Sequence, residues 1–144
     1  MIALACDHGA YALKEKVKAW LLDQGYAVED FGTHSAESVD YPEYGAAAAR
    51  AVAAGQCERG IVLCTTGIGI SISANKIRGV RCALCTNTFM AELTRKHNDT
   101  NMLALGAGVV GELHNLRILE AWLTTEFEGG RHQTRVDKIS ALEA

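Results

Sequence analysis

No run in this 144-residue chain is apolar over the length that a bilayer crossing requires. The opening residues, MIALACDHG, have neither the basic start nor the long apolar stretch of an export signal, so the cytosol is the expected compartment. Charge of one sign is also missing. A net charge of −3 leaves no electrostatic footprint for nucleic acid or an anionic membrane. Two tryptophans and three phenylalanines are few for the aromatic wall on which a flavin stacks. Repeats, low-complexity tracts and linkers are absent, which predicts one domain over residues 1–144. The cysteines number five, and an odd count without an export signal argues against a disulfide framework. Cys82 and Cys85 have the C-x-x-C spacing but lie in the strand-like run VRCALCT, where residues three apart point to opposite faces. Buried structural thiols are expected there, and the same holds for Cys6 and Cys57.

What is present is an alternation. Short apolar or β-branched runs predict strands at Ile2–Cys6, Tyr26–Phe31, Gly60–Cys64, Val80–Cys85 and Met102–Leu105. Between them lie helical patterns. Leu13, Val17, Trp20 and Leu21 share one helical face, and Gly25 stands where a helix ends. Tyr44 to Ala54 is alanine-rich, Phe89, Met90 and Leu93 mark an amphipathic helix, and further helices cover Leu113 to Phe127 and Arg131 to Leu142. Strands alternating with helices over short connections predict a doubly wound α/β fold of the Rossmann or flavodoxin kind. It has a five-stranded parallel sheet, helices on both faces and a C-terminal helix. Ligands in such folds sit outside the carboxyl ends of the strands. Asp7 and His8 end the first strand and Cys64 ends the third, so the three belong on one edge.

Cys64 enters the turn Thr65-Thr66-Gly67-Ile68-Gly69, which leads into a helix-compatible run to Lys76. A strand that becomes a helix through small residues leaves backbone N–H groups pointing outward, and these bind anions or developing oxyanions. The same field favours a thiolate at Cys64, the form in which a thiol acts as a base. Other anion loops are excluded on their patterns. CDHGAYALK after the first strand lacks G-x-G-x-x-G, no Walker sequence is present, and Ile70 stands where a cysteine phosphatase needs arginine.

Five stretches occur in a specific order: CDHGAYALK, GTHSAESVDYPEYG, TGIGISISANKIRGVR, RKHNDTNMLALG and EGGRHQTRV. With them the chain resembles, over essentially its whole length, the ribose-5-phosphate isomerase B family, which extends to galactose-6-phosphate isomerase subunits. The resemblance implies interconversion of an aldose phosphate and a ketose phosphate through a cis-enediolate, without metal or organic cofactor. It implies Cys64 as the base that moves a proton between C1 and C2, with Thr66 and His97 assisting ring opening. Asp7, His8, Tyr41 and Asn98 match sugar and phosphate contacts, and the backbone from Thr65 through Gly67 and Ile68 to Gly69 matches the loop that steadies the enediolate oxygen. Arg131 and Arg135 match phosphate-binding arginines, and their i, i+4 spacing places both on one helical face. Ribose 5-phosphate is the expected substrate. A hexose 6-phosphate such as allose or galactose 6-phosphate is the alternative within the class, and a non-catalytic sugar-phosphate sensor the alternative outside it.

Two positions depart from the family pattern. Thr65 stands where glycine is usual, and would be strained if that position needs positive φ. Gly108, in LGAGVVG, stands where many relatives carry a phosphate-site arginine, so a cation is lost and room for a longer sugar is expected. The topology adds a constraint on assembly. His97 ends the helix before Met102–Leu105, hence lies near the amino edge of the sheet, whereas Cys64 and Asp7 lie at the carboxyl edge. A five-residue strand separates the edges by about 17 Å. If both groups serve one substrate, His97 comes from a second subunit, in line with the family's dimers with shared active sites. Pairing of dimers into tetramers would extend the same assembly.

Overall fold

A computed structural model describes residues 1–143. Its five strands are β1 (Ile2–Cys6), β2 (Val28–Asp30), β3 (Arg59–Cys64), β4 (Cys82–Leu84) and β5 (Met102–Gly106). All neighbours pair in parallel, in the order β2-β1-β3-β5-β4. The helices are α1 (Tyr11–Asp23), α2 (Tyr41–Ala53), α3 (Ile68–Asn75), α4 (Thr88–Asn98), α5 (Glu112–Thr124) and α6 (Arg131–Ser140), with a single 3-10 turn at His8–Ala10. The doubly wound α/β fold and its C-terminal helix are as expected. The two edge strands are shorter than their apolar runs, Val28–Asp30 within Tyr26–Phe31 and Cys82–Leu84 within Val80–Cys85. Each edge strand has one neighbour and pairs with only the first three of that neighbour's five residues, Ile2–Leu4 of β1 and Met102–Ala104 of β5.

Strand periodicity divides the core in two. Ile2, Leu4, Cys6, Ile61, Leu63, Leu103 and Leu105 face the layer of α1 and α5, where Trp122 is fully buried. Ala3, Ala5, Val62, Met102 and Ala104 face the layer of α2 and α3. Alanines on this second face let the alanine-rich α2 lie close, with Ala48 and Ala49 fully buried. Cys85 belongs to the first cluster and Cys82 packs against the second, so the C-x-x-C pair straddles the sheet as its spacing predicts. All five cysteines are free.

The expected apolar face of α4 is turned outward. Its buried residues are Ala91, Thr94 and Arg95, while Phe89 is 66% exposed and Met90 38%. Periodicity identified a face but not its neighbour. Arg95, rather than an apolar side chain, secures the helix: its guanidinium donates to the carbonyls of Thr100 and Thr125 and pairs with Asp99.

One ionic contact lies inside this apolar frame. Lys14, with no side-chain exposure, places Nζ 2.8 Å from both carboxylate oxygens of Asp30 and 2.7 Å from the carbonyl of Thr33. It ties α1 to the end of β2 and to the segment leading on to α2. Burial by itself would raise the Asp30 carboxyl, but hydrogen bonds from Lys14 and the Gly32 N–H outweigh it and hold the group below the usual carboxylate range. A carboxyl lowered by folding adds stability that is complete above its unfolded value, about pH 4, and disappears as pH falls through the folded value. Lys14→Met should therefore cost about 3–5 kcal/mol in denaturant unfolding at pH 7, because a buried carboxylate loses its main partner. The deficit should shrink in acid below about pH 4, and an equal deficit at both pH values would refute the ionic account.

Candidate active site

The chain reverses direction across the sheet between β1 and β3, the switch point at which folds of this kind open a crevice. Asp7 leaves β1 there and Cys64 leaves β3. Together with Tyr41, Thr65, Thr66, Ile68 and Gly69 they line a cleft of about 370 Å³. Asp7 accepts the Gly9 N–H at 2.9 Å, which fixes its carboxylate over the following turn. Tyr41 is the first residue of α2, and its ring lies so close to Gly69 that a Cβ there would stand 2.6 Å from it. His8 acts one step back: its Nδ1 accepts the Val39 N–H at 3.1 Å, holding the segment that delivers Tyr41.

The Cys64 loop is laid on the end of β5. Ala107 N–H donates to the Cys64 carbonyl at 3.0 Å and Gly108 N–H to the Thr65 carbonyl at 2.8 Å. A Cβ at Gly106 would stand 2.6 Å from the Thr66 carbonyl oxygen, so glycine is needed for the approach. The left-handed turn is made by Gly67, φ +79°, and not by Thr65, so threonine at 65 carries no backbone strain. That turn aims the Gly67 N–H at Cys64 Sγ, 3.1 Å away, at the first turn of α3. The next N–H, of Ile68, donates to Thr66 Oγ1 at 3.2 Å. The thiol, 5% exposed, thus sits at a helix N-terminus with a backbone donor on its sulfur. The other thiols are in different surroundings. Burial pushes Cys6 and Cys85 each up to about 12 and raises Cys57 and Cys82 as well.

The remaining expected site residues lie elsewhere. His97 is in the last turn of α4, and Arg131 and Arg135 are exposed along α6, which packs on α4. The strand β5 starts just after α4, and the rise from Met102 to Gly106, which pairs with Cys64, is about 13 Å. Asn98 follows His97 as the last residue of α4. Its Oδ1 accepts from Thr94 Oγ1 at 3.0 Å, and it lines a separate cavity of about 430 Å³ beside the amino end of β4. Among the described residues no lysine or arginine lines the cleft around Cys64.

Beside His97 the structure places two residues not picked out as candidates. His132 stacks on His97 with centroids 4.2 Å apart and planes 13° from parallel. Glu128 Oε1 lies 3.7 Å from His97 Nε2 and 3.4 Å from His132 Nε2. Burial lowers the His132 imidazole, and His97 and Arg131 push it the same way against Glu128. The signal was its spacing: His132 and Val136, at i and i+4, are the buried stripe of α6. His97, Glu128 and His132 are the one cluster of metal-ligand types among the described residues, with donor atoms within 4.8 Å. Imidazole lone pairs lie in the ring planes, however, and two nearly parallel planes do not meet at one ion.

The family model described as Ribose/Galactose Isomerase matches residues 2–139. Ribose-5-phosphate isomerase B of Escherichia coli (strain K12) is 49% identical over 142 residues, covering 99% of this chain and 95% of the relative. The solved structure of Clostridium thermocellum ribose-5-phosphate isomerase B superposes with a TM-score of 0.98 at 55% identity, covering 99% of this chain and 96% of that one. The ribose 5-phosphate isomerase of Thermotoga maritima gives 0.95 at 47% identity, with 97% of each chain covered. This chain belongs to the ribose/galactose isomerase family and is an isomerase.

Proposed function

We propose that the enzyme interconverts ribose 5-phosphate and ribulose 5-phosphate, with Cys64 as the base. The observation that carries this is the Gly67 N–H held on Cys64 Sγ within a cleft of hydroxyls and one carboxylate. After ring opening, in which Thr66 and His97 act together, the Cys64 thiolate takes the proton from C2. The resulting cis-enediolate receives it at C1, while a proton passes from O2 to O1, so no electrons are gained or lost. Every step is proton transfer, and such positioned groups supply roughly 10²–10⁴-fold each. Loop N–H groups between Thr65 and Gly69 steady the enediolate oxygen, a donor of this kind being worth about 10²–10³-fold. Asp7 and Tyr41 orient the sugar hydroxyls, and His8 holds the segment that delivers Tyr41.

The phosphate needs cations, and the cleft has none of its own. We infer that Arg131, Arg135, His97 and Asn98 of a second copy complete each site, making the working unit a homodimer. An uncovered apolar surface supports this: Ile68 and Ile72 on α3 and Phe89 and Met90 on α4 are exposed on the two sides of the short edge strand β4. Five free thiols suit the reducing cytoplasm.

Cys64→Ala should lower kcat by at least about 10²-fold with KM within a few-fold, as loss of a general base does. Iodoacetamide should inactivate the wild type by modifying Cys64, and bound sugar phosphate should protect it. Full loss of activity with only Cys57 modified would count against this assignment. Mixing inactive Cys64→Ala with inactive His97→Ala under conditions of subunit exchange should restore one intact site per mixed dimer. Demonstrated exchange with no recovered activity would mean that His97 acts within its own chain.

A further inference from the structure

Gly9 and Gly108 flank the Cys64 loop from opposite sides, one after β1 and one after β5. Neither has a positive φ, so backbone conformation does not call for glycine at either position. Space does. A Cβ at Gly9 would collide with Thr65 Oγ1, and one at Gly108 would stand 3.0 Å from Thr65 Cγ2 and 3.2 Å from the Thr65 carbonyl oxygen. The two branches of the threonine thus point one at each glycine, while its carbonyl accepts the Gly108 N–H at 2.8 Å. The side chain is exposed on the wall of the cleft that holds Cys64.

From this contact we infer that Thr65 is a specificity-determining residue: its methyl fills the room that glycine at 108 would otherwise leave for a longer sugar. The inference rests on the proposed aldose–ketose isomerisation and deepens it. Gly108 alone suggests a cleft open to six-carbon substrates. Thr65 lines the cleft and Gly108 does not, so the wall at this point is the threonine's, and its methyl favours the five-carbon phosphate. The loop backbone, zipped to β5 through the Thr65 and Cys64 carbonyls, keeps the methyl in place. A hydrophobic wall that gains or loses one carbon discriminates by about 10-fold or somewhat more.

The test moves one methyl group across the contact. Thr65→Ser keeps the hydroxyl toward Gly9 and removes the methyl facing Gly108, and Gly108→Ala puts a methyl back from the other side. With ribose 5-phosphate and aldohexose 6-phosphates as substrates, Thr65→Ser should raise the six-carbon to five-carbon ratio of kcat/KM by about 10-fold. The double variant should return within a few-fold of wild type. Melting temperatures supply an independent readout: Gly108→Ala should lower Tm by about 3 °C or more in the wild type and by clearly less in Thr65→Ser, where only the 3.2 Å contact with the residue 65 carbonyl oxygen remains. An unchanged substrate ratio in an active Thr65→Ser enzyme overturns the specificity role, and additive Tm changes overturn the steric contact. Absence of isomerase activity in the wild type would instead fall on the proposed reaction and take the specificity role with it, while the melting temperatures would still decide the contact.

Discussion

All five strands run in the same direction, and the distribution of chemistry in this protein follows from that constraint. Parallel strands send every strand-to-helix turn to one edge of the sheet and every helix-to-strand return to the other. Asp7, the Cys64 loop and the Gly106–Gly108 segment are three exits, so they meet. His97 lies on a return, at the opposite edge of the sheet in the same chain. The sheet order β2-β1-β3-β5-β4 sharpens this, because β1 and β3 are neighbours at the point where the winding reverses. The crevice there is a property of topology. The side chains in it decide what it does.

Close approach is the second theme. The thiol can be presented to a cleft and still receive a backbone donor because its loop lies almost in contact with β5, across Gly106 and Gly108. Small residues on the α2 side of the sheet work in the same direction, bringing helix and sheet together with little side-chain volume between them. Against this tight apolar background the Lys14–Asp30 pair is exceptional. It is buried and shares the Thr33 carbonyl, and so holds the segment before α2 where van der Waals contact alone would leave the Thr33 carbonyl and the Gly32 N–H unsatisfied.

Much of the fold was legible because periodicity reports directly on burial. Unbroken apolar runs in Ile2–Cys6 and Gly60–Cys64 mark strands covered on both faces, and the Leu13, Val17, Trp20, Leu21 set marks a helix lying on one. Misreadings arose where the partner of a surface is not encoded nearby. The Phe89, Met90, Leu93 stripe marked the helix but not what covers each side of it, and Ala91, Thr94 and Arg95 take the inner face. Edge strands were overextended for a related reason: hydrophobic runs do not say how many residues pair with the neighbouring strand. His132 was overlooked because its i, i+4 spacing with Val136 marks burial and not chemistry, and its stacking partner lies thirty-five positions away, at His97.

Sequence alone determined the parallel α/β class, the edge on which Asp7 and Cys64 stand, and the opposite placement of His97, because each depends on local periodicity and the direction of connections. It also showed that residues 65 and 108 depart together from a familiar pattern. Only the tertiary structure decided what that means. Thr65 and Gly108 are forty-three residues apart, yet the ladder between β3 and β5 brings the threonine methyl to 3.0 Å from where a side chain at 108 would begin. A glycine that reads as vacant space along the chain is occupied in three dimensions, because close packing is settled between strands that sequence order keeps apart.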